Sequence, residues 1–261
     1  MASPADIGSV ADLTWVSPRT FVLSGHRFMG LREDDTFDHL LQLSKARSDD
    51  QRFVTMKTPH LYDTVIGLAR EFAPQRVLEI GLFQGGSTAF LSLVAGPDLI
   101  VGVELNDQPL TALETYAESL PDGQRIGLHY GIDQGDQATI LDIVATEFAG
   151  EAIDVVIDDA SHALTPTRSS FEAVWPHIRP GGCYVIEDWG WEGIDFGVEN
   201  IPQPDGEPIV PMVVDLVRTI GLDGSTVARA SIDRNTATIV RSEVAVPQGW
   251  TLKGELDALL R

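Results

Sequence analysis

The fold is decided at Glu79-Ile80-Gly81-Leu82-Phe83-Gln84-Gly85-Gly86-Ser87, which continues the apolar run Arg76–Ile80 and opens a helical pattern. An apolar run, a glycine-rich turn and a helix in that order are the repeating unit of a parallel α/β sheet. Glycine lets the backbone turn sharply and approach a ligand, while the first N–H groups of the helix lie open to an anion. A dinucleotide fold would place G-x-G-x-x-G here, with the second glycine against a pyrophosphate. This chain has Glu-x-Gly-x-x-x-Gly instead. A carboxylate at Glu79 repels a pyrophosphate and suits an ammonium group. The ligand implied is a nucleoside that carries an amino acid.

Working outward, Ile100–Glu104, Ile126–Tyr130, Ile153–Asp158 and Cys183–Ile186 join Arg76–Ile80 as five strands, rich in Val, Ile and Leu as strands buried on both faces are. Thr226–Ile232 and Thr236–Val240 flank Asp233-Arg234-Asn235, a hairpin signal. The expectation is an α/β fold: a doubly wound, Rossmann-like, seven-stranded sheet, mostly parallel with a C-terminal antiparallel hairpin. Phe171, Val174, Trp175 and Ile178 recur at helical spacing, as do Ile209, Met212, Val213, Leu216 and Ile220. Asn106 or Asp107 is placed to cap a helix carrying Leu110, Leu113 and Ala117. Trp189 to Pro211 reads as a long irregular loop, and loops of that length are usually functional. Residues 1–60 show no clear strand pattern and are expected to form an N-terminal helical cap over the carboxyl edge of the sheet, with 61–261 as the α/β domain.

The 261 residues suit one large domain, and 18 Lys and Arg against 39 Asp and Glu leave a net charge of −21. So acidic a chain is repelled by phosphate backbones, and it has no basic run to overcome that, so no nucleic-acid partner is expected. A single cysteine, Cys183, excludes an intrachain disulfide and a cysteine-held cluster. Met1 to Val10 lacks the basic start and apolar run of a signal peptide. The most apolar stretch, Val77 to Leu105, is broken by Glu79, Gln84, Pro97 and Asp98. A cytoplasmic protein without membrane contact is the expectation.

Acids crowd two strand ends. The fourth run closes on Asp158-Asp159-Ala160-Ser161-His162 and the fifth on Glu187-Asp188. Adjacent strands of a doubly wound sheet bring their carboxyl ends together, where such folds bind ligands. Carboxylates gathered there repel one another unless a cation joins them. Oxygen donors without cysteine suit a hard divalent ion, Mg²⁺ first and Mn²⁺ next. Glu104, ending the second strand, is placed to accept ribose hydroxyls.

Together these motifs resemble a class I S-adenosylmethionine-dependent methyltransferase, from about Met56 to the end. The resemblance implies S-adenosylmethionine as cofactor, with Glu79 ordering its methionine end, Gly81 and Gly85 admitting it, and Ser87 bonding its carboxylate. It further implies Glu104 on the ribose and Asp133 and Gln134 near the adenine, with Lys57 and Met56 as a cation and an apolar contact at the methionine end. Counted from Asp154 as in the metal-dependent catechol-type O-methyltransferases, the metal aspartate falls on Asp159 rather than Asp158, and the base on His162. Glu187 and Asp188 match the acid pair of the next strand.

The Asp-Ala-Ser-His and Ile-Glu-Asp phrases are most similar to the O-methyltransferases of macrolide sugars and their cephalosporin-hydroxylase-like relatives. That implies a small-molecule or oligosaccharide acceptor whose hydroxyl is deprotonated by His162 beside a metal held by Asp159, Glu187 and Asp188. Trp189 and Trp191 would lie against the sugar, with Asp195, Glu199 and Asn200 able to bond its hydroxyls. A cap segment before a class I core often joins subunits, so a homodimer is the expectation. The rivals are a catechol or phenol O-methyltransferase, which would favour a lysine base, and a non-catalytic nucleotide-binding partner, which would need no base. An NAD-dependent oxidoreductase is opposed by the missing G-x-G-x-x-G.

Overall fold

The computed structural model describes residues 7–190, 206–247 and 249–260. The N-terminal segment differs from the helical cap expected of it. It carries strands β1 (Thr14–Ser17), β2 (Thr20–Leu23), β3 (His26–Met29) and β4 (Phe53–Val54), with a single α-helix, α1 (Phe37–Ser44). These form a four-stranded sheet in the order β1-β2-β3-β4. The first three strands have four residues each, too few for an alternating pattern to stand out. The signal that was present is Ser24-Gly25: both have positive φ (50° and 89°), and they join Leu23 to its partner His26 as a two-residue hairpin loop.

Helix α2 (Pro59–Phe72) leads into the main sheet, made of β5 (Arg76–Ile80), β6 (Leu99–Glu104), β7 (Arg125–Tyr130), β8 (Ile153–Asp158), β9 (Ile178–Glu187), β10 (Val227–Ile232) and β11 (Thr236–Arg241). The order is β10-β11-β9-β8-β5-β6-β7. Strands β5 to β9 pair in parallel, and β11 joins β9 and β10 antiparallel. The seven-stranded α/β sheet closed by an antiparallel hairpin is therefore what the sequence indicated.

Alternation along the strands divides the core between two faces. Val77, Ile100, Val155, Ile157, Cys183 and Val185 face α2, α3 (Gly86–Ala95) and α4 (Thr111–Glu118). Leu78, Ile80, Val101, Val103, Val156 and Tyr184 face α5 (Gln137–Phe148), α6 (Leu164–Val174), α7 (Val210–Ile220) and α8 (Leu252–Leu259). The N-terminal sheet adds a layer over the first face through Phe21 and Phe28, which pack on Tyr62 of α2 and Phe90 of α3.

Two local expectations need correction. Helix α4 begins at Thr111 after Leu110, so neither Asn106 nor Asp107 caps it. Asn106 instead turns its side chain back to accept from the Gln108 N–H at 3.0 Å, the local bond that makes such residues turn formers. The face of Phe171, Val174, Trp175 and Ile178 is also only partly helical. Helix α6 stops at Val174, a 3-10 turn holding Pro176 follows, and Ile178 already opens β9. Proline lacks the N–H an α-helix would use there.

Candidate active site

Strands β5, β6, β8 and β9 all point their carboxyl ends to one edge. At that edge Gly81 (φ 90°) leaves β5 so close to the end of β8 that a Cβ would lie 2.2 Å from the Asp159 carbonyl oxygen. Gly85 (φ 75°) would likewise push a Cβ to 2.8 Å from Leu113. The first need for both glycines is thus packing within the protein, which brings the turn after β5 against the acids after β8.

Beside this turn lies a cavity of about 260 Å³ lined by Gly81, Glu104, Asp133, Gln134 and Asp159, with Phe83, Leu105 and Ile132 as apolar walls. Leu105 is 70% exposed, and an apolar side chain so open at a cavity mouth offers a face to a flat ligand. Sequence reading passed over it, although its place one residue after Glu104 was a usable sign. Larger hollows lie elsewhere, such as one of about 350 Å³ between Gly25–Arg27 and α4, but it contains none of the strand-end acids of β5, β6, β8 and β9.

Glu104 accepts from the Leu82 and Phe83 N–H groups and from Asn106 N–H, each at 2.9 Å, so it also fixes the glycine turn. Glu79 is buried, and its Oε1 accepts from Ser87 Oγ at 2.5 Å, with the Thr88 hydroxyl and the Lys57 ammonium also favouring its charged form. Burial pushes its carboxyl above the usual range, against the pull of that hydrogen bond. Ser87 is thus engaged with Glu79. Asp133 is exposed and accepts from Gly135 N–H at 2.7 Å. Met56 packs with Leu31, Leu43 and Val54 under the N-terminal sheet.

Asp158 and Asp159 have separate fates. Asp158 is buried and accepts from Gln134 Nε2 at 2.6 Å, Tyr184 OH at 2.6 Å and Ser170 Oγ at 3.2 Å. Burial pushes its carboxyl up to about 6, against those hydrogen bonds. Gln134 also accepts from Ser161 Oγ at 2.7 Å, so it lines the cavity and braces the loop after β8 at once. Asp159, one residue on, stands at the tip with His162 and Asp188. Ligand atoms from these three lie within 4.8 Å of one another. His162 and Asp188 both hold the left-handed backbone conformation, with φ of 51° and 50°. Such conformations are costly for residues other than glycine and gather at functional sites.

Glu187, expected beside Asp188, is held differently. Both of its oxygens accept from Lys57 Nζ, at 2.7 and 2.6 Å, and Asp159 Oδ2 accepts from the same ammonium at 3.2 Å. Lys57 is therefore placed on the acids of β8 and β9. Burial alone would lower the lysine and raise the acid; Asp159 and Glu187 hold the Lys57 ammonium above its ordinary value. The contact reads as a charged pair, because both Glu187 oxygens face one donor, which two acceptor oxygens satisfy and a carboxyl O–H would not. Burial also raises the Asp188 carboxyl, with Asp159 adding to the effect. Two carboxylates suit a hard divalent ion, Glu187 would complete an all-oxygen set once free of Lys57, and the imidazole beside them is left to take a proton. Trp189 Nε1 donates to the Asp233 carbonyl at 2.9 Å, which ties the start of the long loop to the hairpin. Trp191, Asp195, Glu199 and Asn200 lie outside the described residues.

A seven-stranded sheet with its glycine turn and acids on one edge is the architecture of a methyltransferase, and residues 78–189 match a family described as a methyltransferase domain. The chain's relatives by sequence include several proteins named as O-methyltransferases. Demethylmacrocin O-methyltransferase of Streptomyces fradiae is 33% identical over 231 residues, which are 78% of this chain and 53% of that protein. Mycinamicin VI 2''-O-methyltransferase of Micromonospora griseorubida is 37% identical over 163 residues, 58% of this chain and 36% of that one. The chain thus spans about half the length, or less, of these two curated relatives.

Among solved structures, the MycE methyltransferase of the mycinamycin pathway, in complex with Mg and SAH, superposes with a TM-score of 0.50 at 26% identity, over 74% of this chain and 52% of that one. The O-methyltransferase TomG from Streptomyces achromogenes reaches 0.53 at 17% identity, over 80% and 91% of the two chains, which shows the shared fold. No helix among the described residues is long and apolar enough to cross a membrane.

Proposed function

We propose that this chain methylates a sugar hydroxyl, using S-adenosylmethionine and a divalent ion, Mg²⁺ or Mn²⁺. One observation carries the reading: Asp159 belongs both to the wall of the cavity after Gly81 and to the cluster with His162 and Asp188. A ligand in the cavity and a group held by the cluster are then neighbours, which is the requirement for transfer between them. In this reading Glu104 accepts the ribose hydroxyls, Leu105 and Ile132 cover the base, and Asp133 edges it. Glu79 and Ser87 lie toward the amino-acid end.

His162 takes the proton of the acceptor hydroxyl. An imidazole is a weak base for an alcohol, so proton removal of this kind needs help. The divalent ion, when bound, would supply that help by stabilising negative charge on the oxygen. Asp159 and Asp188 would hold the ion, with Glu187 as a third acid, and the Asp158–Gln134–Ser161 bonds keep the loop bearing Asp159 and His162 in place. The relatives named above are O-methyltransferases of demethylmacrocin and mycinamicin VI, and Trp189 beside the cluster suits an apolar sugar face. Incubation with S-adenosylmethionine, Mg²⁺ and a panel of macrolide glycosides and simple glycosides tests the proposal. Mass spectrometry should find one added methyl on a sugar oxygen. Transfer only to phenols would overturn the sugar assignment.

A further inference from the structure

We propose that Lys57 is the resident counter-cation of the acidic edge: it holds Glu187 in the metal-free protein and gives it up when a divalent ion binds. This inference rests on the metal reading above and adds to it a residue with a stated part in ion binding.

Lys57 is 2% exposed, and its ammonium lies within hydrogen-bond distance of both Glu187 oxygens and of Asp159 Oδ2. Among the described ion pairs it is the one lysine or arginine that reaches these acids. Asp159 belongs to two sets at once, since its Oδ2 faces Lys57 while its Oδ1 lies 3.8 Å from His162 Nε2. A divalent ion between Asp159 and Asp188 would share Asp159 with the ammonium, and two cations on one carboxylate repel. The contact and the ion therefore compete.

The way Lys57 is mounted suits an exchange. Its backbone is pinned, the carbonyl accepting from Leu31 N–H at 3.0 Å, and helix α2 starts at Pro59 two residues later. Only the side chain is left to move, and lysine carries a point charge on a flexible stem rather than a rigid fork. Without an ion, a buried Glu187 lacking Lys57 would be an uncompensated charge, which is strongly destabilising. With an ion, the same Glu187 becomes a donor. Lys57 is thus a positioning residue that keeps the site assembled before the ion arrives.

Mn²⁺ is the probe, its free form being counted by electron paramagnetic resonance during titration of the full chain. Lys57→Met should bind Mn²⁺ at least about tenfold more tightly than wild type, since the competitor is gone. Its melting temperature should lie below wild type in EDTA and approach it with Mn²⁺. Equal or weaker binding by the variant, with wild type binding normally, would overturn the inference and leave the metal reading standing. Absence of binding in both proteins would overturn the metal reading and this inference with it. Should Lys57→Met fail to fold, nitrogen-15 NMR of the wild-type lysine ammonium groups decides. The Lys57 signal should shift or exchange away on saturation with Mg²⁺, and an unmoved signal would contradict the exchange.

Discussion

Strand β8 carries an acid at each end, and the two are treated in opposite ways. At the amino end Asp154 accepts from Gln75 N–H at 2.7 Å, Arg76 N–H at 2.8 Å and Arg179 Nε at 2.5 Å. Every demand of that carboxylate is met by the protein, and it ties β5, β8 and β9 together. At the carboxyl end Asp159, Glu187 and Asp188 crowd around one ammonium and one imidazole. Negative charge is in excess there, and two of the residues hold a left-handed backbone. An acid at a strand end is informative when its neighbours leave its charge uncompensated. Asp158 sharpens the point, because it touches Asp159 in sequence yet rests among neutral donors in the interior.

The sharpest break of this contrast is at His162. His162→Ala should lower turnover by about a thousandfold, within the usual range for a general base, while S-adenosylhomocysteine binds as before. A loss below tenfold would remove His162 from the proton transfer. Next comes the pair of aspartates. Asp159→Asn should weaken Mn²⁺ binding by about a hundredfold or more, beyond what outer partners of a metal contribute. Asp154→Asn should leave Mn²⁺ binding unchanged and act on stability instead. Arg179 is partly exposed, so the loss is discounted from a buried pair to about 1–3 kcal/mol, or roughly 2–10 °C in a calorimetric scan. If the two substitutions gave the same profile, the distinction between the ends of β8 would fail.

The smallest effect is expected at Cys183, whose thiol burial pushes far above its ordinary pKa in the middle of β9. It should resist a thiol reagent in the native protein and react fully in denaturant. Reaction of the folded protein would mean that the sheet opens where the core is most buried.

Much of this was legible in the residues because the signals were local. Val and Ile runs marked each parallel strand, and the glycine turn with Asp159, His162 and Asp188 fell on one edge once topology was granted. What stayed hidden depended on distance in sequence. Nothing in Met56-Lys57-Thr58 tells that Nζ will meet Glu187, 130 residues away. Nor does Gln134 announce that it will brace Asp158 and Ser161. The N-terminal sheet was missed because four-residue strands carry too little alternation, although Ser24-Gly25 gave its turn. Gly81 and Gly85 are expected to admit a ligand, and their contacts with Asp159 and Leu113 add a packing need that the sequence does not announce.

The central claim is that one edge holds a nucleoside cavity and an ion cluster joined at Asp159. Calorimetric titration of EDTA-stripped protein with S-adenosylhomocysteine, repeated with Mg²⁺ restored, tests it most directly. The account predicts saturable binding of about one equivalent, a separate response to Mg²⁺, and loss of only the latter in Asp159→Asn. Absence of S-adenosylhomocysteine binding with and without Mg²⁺ would contradict it at the root.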